Sequence, residues 1–272
     1  MINLVYCVDK KLLTQQLVSL ISLTKHTKEP INVINLTVEI PEFNAKGKKF
    51  TEKEDKLCES VLQKANPEST YKSVDVSEEF RKYLLRGPNL HNKYYSYYVT
   101  VRLLMHLVPE VPDKVIYLDA DTIFNGDVKE LWDIDVSDVE IAGRRDSGRI
   151  TNYFQSGVML MNMKMIRETG LLERACKLCS EKKYMWYIDM SALNTACKKR
   201  KIISKKYNCY KYDAKSIIHH VCATRESKIF LTKKWFHRIK TDEIDFMTKI
   251  YPQYAYIYEE LDRIKQNNKE LF

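Results

Sequence analysis

An α/β domain, with a largely parallel central sheet flanked by helices, is the fold that these 272 residues predict. Two observations carry the prediction. Short apolar runs rich in β-branched residues alternate with longer segments of helical periodicity, the order that layers helices onto a parallel sheet. No linker, internal repeat or low-complexity stretch divides the chain, so one domain over residues 1–250 is expected, with a helical extension over 251–272 packed on it. A chain of this size buries about 70–75% of its unfolded surface, enough for a real core.

The elements follow in order. Ile2 to Val8 reads as a buried strand ending at Asp9, and Leu17, Leu20 and Ile21 recur at helical spacing from Leu13 to about His26. Ile31 to Val38 alternates as a second strand. Thr51 to Gln63 is a charged helix with Leu57, Val61 and Leu62 inward, and Tyr71 to Val76 is a third strand. A helix from Tyr97 to Leu107 precedes the apolar strand Lys114 to Leu118, which delivers Asp119. Glu140 to Ala142 and Phe154 to Met161 are strands, followed by helical segments from about Lys164 to Lys182 and from Asp189 to Lys199. Ile217 to Cys222 is a late strand, and the tail is helical from Tyr251.

No run approaches the roughly 18–20 apolar residues that span a bilayer, and the N-terminus lacks the basic leader of a secretory signal, so a soluble, cytoplasmic protein is expected. Seven scattered cysteines suit a reducing compartment. Cys176 and Cys179 form a CxxC without a second pair, which reads as two ordinary helix residues rather than a zinc or redox site. The net charge of +9 suits an anionic substrate or peripheral contact with a membrane surface. The densest cluster, Lys198 to Lys201, lacks interleaved aromatics, which argues against nucleic acid; it reads as a solvated helix terminus.

Asp119-Ala120-Asp121-Thr122 is the most informative stretch. Two carboxylates one residue apart at the tip of a buried strand repel each other unless a cation lies between them. Ligands of open α/β sheets bind at that edge, and a small residue between the acids suits a hard cation. Two enzyme classes use the arrangement. The quartet fits the DxDxT signature of a phosphatase family, but here 118 residues precede it and the later pair Asp242 and Asp245 falls in a helical approach. The alternative is a nucleotide-sugar transferase, whose metal neutralises the departing diphosphate. No glycine-rich phosphate loop occurs, so a metal would carry more of that charge.

The strings Lys93-Tyr94-Tyr95-Ser96-Tyr97-Tyr98, Arg102-Leu103-Leu104, Tyr117 to Thr122, Leu131-Trp132-Asp133-Ile134-Asp135 and Tyr153 to Asn162 resemble family 8 glycosyltransferases, with a likeness that runs from Asp9 to about Lys240. The resemblance implies a GT-A (Rossmann-like) fold, Mn²⁺ (or Mg²⁺) dependence, a UDP-sugar donor, retention of anomeric configuration and a glycan or lipid-linked acceptor, as in lipopolysaccharide biosynthesis. It implies Asp119, Asp121 and His220 as metal ligands, with His219 on the opposite face of its strand. It further implies Asp9 on uracil, Arg102 and Lys240 on the sugar and diphosphate, and Ala120, Gln155, Ser156 and Gly157 lining the donor site. Asp189 and Gln155 stand near the anomeric carbon, with Arg102, as the catalytic set. Met190 replaces the family glutamine after Asp189, and Thr241-Asp242 replaces Pro-Trp after Lys240. These departures leave open a degenerate relative that binds without turnover. Asp146 is the candidate on the acceptor side.

Overall fold

At the centre of the sheet, β1 (Ile2–Cys7) pairs in parallel with β2 (Ile31–Thr37) and with β4 (Lys114–Leu118). Outside β2 lies β3 (Thr70–Asp75), and beyond β4 come β7 (Phe154–Asn162), β6 (Ile141–Arg145) and β8 (Arg200–Ile203), giving the order β3-β2-β1-β4-β7-β6-β8. Of the seven strands only β7 runs against the rest. Two small ribbons complete the strands: β5 (Thr122–Phe124) with β9 (Ile218–His220), and the hairpin of β10 (Arg225–Phe230) and β11 (Lys233–Arg238). This computed structural model describes residues 1–88, 90, 96–146, 152–182, 185, 187–223, 225–230, 233–238 and 240–272, with backbone alone for 223–238. Lys93, Tyr94 and Tyr95 of the tyrosine-rich string, and Ile239, lie outside the described residues.

Alternation along the strands builds two cores. Leu4, Tyr6, Ile116 and Leu118 face one side, where they meet Leu17 and Leu20 of α1 (Leu13–His26). Val5, Val115 and Tyr117 face the other, against Leu103, Leu104 and Leu172. The charged helix α2 (Glu52–Gln63) starts on a capping box in which the Thr51 N–H donates to Glu54 Oε2 at 2.7 Å. The short α3 (Ser77–Tyr83) and α4 (Lys129–Trp132) sit at loop ends. The predicted helical stretch after β7 is two helices, α5 (Met163–Thr169) and α6 (Leu171–Glu181), because Gly170 adopts φ 68° between them. Next come α7 (Ile188–Ala196), α8 (Ile244–Ile250) and α9 (Ala255–Asn267). Ile257 and Leu261 of α9 enter the same core as Leu17, so the tail is continuous with the rest of the packing.

Three local readings need correction. Residues Tyr97–Leu107 are helical but wound as 3-10, with Thr100 Oγ1 and Arg102 Nε each donating to the carbonyl three residues back. The basic run is no helix terminus. α7 stops at Ala196, the N–H groups of Lys198 and Lys199 donate to buried Glu140, and Arg200 and Lys201 open the edge strand β8. Charged edge residues of this kind blunt strand addition. The third concerns omissions: the sequence pattern does not show α3, α4, β5, β8 or the β10–β11 hairpin, whereas α8 follows the helical approach read at Asp242 and Asp245.

Candidate metal and donor site

β4 ends at Leu118 and delivers Asp119 to the carboxyl edge of the sheet, where its N–H donates to the Gly157 carbonyl at 2.8 Å. The chain turns at once into β5, whose antiparallel register sets Thr122 opposite His220. One ligating atom each of Asp119, Asp121 and His220 therefore falls within 4.8 Å of the others, the one such group of potential metal ligands among the described residues. His220 Nε2 lies 2.9 Å from Asp121 Oδ1 and 3.8 Å from Asp119 Oδ2. His219, one residue back, faces away as strand alternation requires; its Nδ1 lies 3.1 Å from the Tyr254 hydroxyl. Burial, with His220 beside it, brings the His219 imidazole down to about 4.

The two oxygens of Asp119 are divided. Oδ1 accepts from Arg102 Nη2 at 2.8 Å and from the Tyr117 hydroxyl at 2.9 Å, which turns Oδ2 toward His220. Burial nevertheless raises the Asp119 carboxyl above its ordinary range; Arg102 and His220 oppose the rise and Asp121 adds to it. Burial pulls the His220 imidazole down, but Cys222 and Asp121 outweigh it and lift the group well above its ordinary range. A cluster that holds a proton against burial is short of positive charge, which a divalent cation supplies. Two further observations fit a cation. Buried His220 Nε2 makes no well-directed hydrogen bond to a described residue although Asp121 Oδ1 is 2.9 Å away, and a Cβ on Gly157 would fall 2.2 Å from His220 Cε1 and 2.9 Å from Asp119 Oδ2. The glycine keeps the cradle open.

A directed chain of hydroxyls holds the acidic turn from below. Thr122 Oγ1 donates to the Asp119 carbonyl at 2.8 Å, so the 3.2 Å contact from Ser19 must use the Ser19 proton. The 3.0 Å contact between Tyr6 and Ser19 must then use the Tyr6 proton. All three side chains are buried, and nothing in their sequence spacing shows the link.

The guanidinium of Arg102, expected on the donor, is buried beside the acidic cluster. The residue is 3% exposed; Nε and Nη1 donate to the carbonyls of Val99 and Ser156, and the plane stacks over Tyr117 at 4.4 Å. Nη1 also lies 3.4 Å from Asp189 Oδ2, so one cation ties two of the expected acids together. Asp189 sits in the first turn of α7, buried, and beyond that ion pair its Oδ2 makes no hydrogen bond to a described residue. Met190 beside it is buried too. Gln155 Nε2 donates to Asp146 Oδ1 at 2.6 Å, which joins the residue expected at the sugar to the one expected at the acceptor. Asn194 fixes α7 to β7 by bonding both the N–H and the carbonyl of Phe154, another partner the sequence does not reveal.

The remaining expected residues divide. Ala120 is half-buried in the turn, and Ser156 is buried with its carbonyl on Arg102. Asp9 is buried after β1, where burial raises its carboxyl and Lys11 opposes the rise. Lys240 is not gathered in: it is exposed ahead of α8, its N–H donates to Glu243, and its ammonium pairs with none of these acids. Cys176 and Cys179 of α6 are buried in the second core. A cavity of about 520 Å³ lined by Glu39, Asp75, Glu78 and Arg81 among others contains none of the cluster and is filled with paired charges. No helix among the described residues is long and apolar enough to cross a membrane.

Comparison with known proteins fits this geometry. The lipopolysaccharide 1,2-glucosyltransferase of Escherichia coli is 26% identical over 167 residues, 51% of this chain and 49% of that protein. The chain spans no more than about half the length of the curated relatives it matches. The fold is shared with the galactosyltransferase LgtC, solved with donor and acceptor sugar analogues, at a TM-score of 0.66 and 18% identity over 93% of this chain and 95% of that one. It is shared also with the glycosyltransferase GlyE of Streptococcus pneumoniae TIGR4, at a TM-score of 0.63 and 18% identity over 97% of this chain and 63% of that one. The sequence profile of glycosyl transferase family 8 matches residues 3–231, and to that family of glycosyltransferases this chain belongs.

Proposed function

We propose that this glycosyltransferase moves a hexose, galactose or glucose, from a UDP-sugar to a hydroxyl of a cell-envelope glycan such as lipopolysaccharide, with retention of configuration. The observation that carries the reading is the convergence of Asp119, Asp121 and His220 at one strand edge in a family 8 chain. Two carboxylates and an imidazole suit Mn²⁺ or Mg²⁺, the first better because it accepts nitrogen readily. Bound there, the metal supplies charge neutralisation to the departing diphosphate.

The chain's own residues do the rest. Arg102 and Tyr117 hold Asp119 so that one oxygen faces the cradle, and Gly157 leaves that cradle vacant of side chain. Asp9, buried just after β1, suits a base N–H, and Ala120, Ser156 and Gly157 are assigned to the donor. Asp189, held by Arg102, places negative charge on the side of the ring where positive charge develops, and the Gln155–Asp146 pair orients the sugar and incoming hydroxyl. Met190 narrows that side without hydrogen bonding. Lys240 is the basic group assigned to the diphosphate. The +9 charge and the lipid-linked acceptor suit peripheral attachment to the cytoplasmic membrane face, with no nucleic-acid partner.

The test is a panel of UDP-sugars with Mn²⁺ and a lipopolysaccharide-type acceptor, repeated with EDTA. Expected are UDP release and sugar transfer from UDP-galactose or UDP-glucose, abolished by chelation and restored by Mn²⁺. Metal-independent phosphate release without UDP would favour the DxDxT chemistry instead, and tight UDP binding without turnover would mark a degenerate binder.

A further inference from the structure

We infer that Asn208 is a positioning residue that sets the His220 imidazole for metal binding, an inference that rests on the metal site proposed above. Asn208 is 1% exposed, and its Oδ1 lies 3.0 Å from His220 Nδ1. An amide oxygen only accepts, so Nδ1 carries a proton in either charge state of the ring, and Nε2 is the nitrogen turned toward the two carboxylates, the one that binds a metal when the ring is neutral. That is the orientation a metal ligand needs, and outer partners of this kind also strengthen the ligand.

The amide is itself held. Cys209 N–H donates to the Ile218 carbonyl and His220 N–H to the Cys209 carbonyl, so the backbone beside Asn208 is zipped to the strand that carries His220. Arg144 Nη1 donates to the Asn208 carbonyl at 2.6 Å, and its guanidinium lies 4.3 Å over the Tyr210 ring. Tyr210 in turn meets the His220 ring edge-on, with centroids 5.5 Å apart. Asn208 Nδ2 has no hydrogen-bond partner among the described residues, so the side chain's bonding there goes through its oxygen. The carboxylate of an aspartate would keep that acceptor, whereas alanine or leucine would remove it.

The experiment measures Mn²⁺ affinity by electron paramagnetic resonance of the free ion, for the unaltered protein and for H220A, N208A, N208L and N208D. Circular dichroism checks folding, and the near-isosteric leucine guards against collapse at the buried position. Expected are binding by the unaltered protein, a loss of about 10–100-fold in N208A and N208L, and recovery to within a few-fold in N208D. Unchanged affinity in N208A and N208L, with H220A weakened, overturns the role of Asn208 and leaves the metal site standing. Equal loss in N208D and N208A overturns it as well, since the oxygen would then not be the group that acts. No binding by the unaltered protein removes the metal site and this inference with it.

Discussion

Arg102 Nη2 lies 2.8 Å from Asp119 Oδ1, in a pair whose guanidinium is 3% exposed. A cation at that depth is tolerable because Asp119 and Asp189 flank it. Removing one member of a buried pair costs about 3–5 kcal/mol, since the other charge stays behind unpaired. Arg102→Gln should therefore lower the unfolding free energy by about that amount in urea denaturation. Arg102→Lys should fail to restore it, because an ammonium cannot serve two carbonyls and two carboxylates from one plane. A loss below about 1 kcal/mol in R102Q would contradict the clamp.

Gly157→Ala tests the cradle. The added methyl would fall 2.2 Å from His220 Cε1, and the backbone beneath it is fixed by the Asp119–Gly157 hydrogen bond. The histidine has to move, so Mn²⁺ affinity should fall at least about tenfold while overpacking costs only about 1–3 kcal/mol of stability. Calorimetric titration with Mn²⁺ on folded protein reads the first and thermal denaturation the second. Retained affinity would mean that the imidazole is no ligand.

The hydroxyl chain makes a graded prediction. Thr122→Val strips the Asp119 carbonyl of its donor and leaves the buried Ser19 hydroxyl without an acceptor. Tyr6→Phe removes only the donor at the head and leaves one hydroxyl lone pair unfilled. A buried unpaired polar group costs about 1–3 kcal/mol, so T122V should sit at the upper end of that range and Y6F at or below its lower end. Urea denaturation of both variants checks the order; the reverse order would mean that the protons do not run from Tyr6 to Asp119.

The parts of this site legible in the sequence were those whose chemistry is costly without a partner. Asp119 and Asp121 stand out because two acids at a buried strand tip demand a cation, and the strands that carry them declare themselves by apolar runs. Asn208, Ser19 and Tyr6 left no such mark: each is a neutral polar residue whose partner lies 12 to 103 residues away and is chosen by tertiary packing. Arg102 was legible as a residue, but its burial was not, because a helical register alone does not say which side chains the 3-10 winding buries. β8 was hidden for a different reason. An edge strand rich in Lys and Arg has little apolar pattern to read, and the buried Glu140 that anchors it is a contact across about 60 residues.

Glu140 supplies the last prediction, at the far edge of the sheet. Its carboxylate is fully buried; Oε2 accepts the N–H groups of Lys198 and Lys199 at 2.7 and 2.8 Å, and Oε1 accepts the Thr169 hydroxyl at 2.7 Å. Burial alone would raise the group, but the Thr169 hydroxyl and those two backbone donors hold it below the ordinary glutamate range. A carboxyl depressed in the folded state contributes stability that is complete above its unfolded value and is lost as pH falls through the folded one. Glu140→Gln keeps one acceptor but sets an NH₂ against the other donors, so it should cost about 1–3 kcal/mol near pH 7. Because protonation removes the same charge from the unaltered protein, the gap between the two should narrow steadily as pH drops below about 4.5. Urea denaturation of both proteins at several pH values between 7 and 3 measures the gap. A gap constant with pH would show that the charge of Glu140 contributes nothing and that only its shape fills the site.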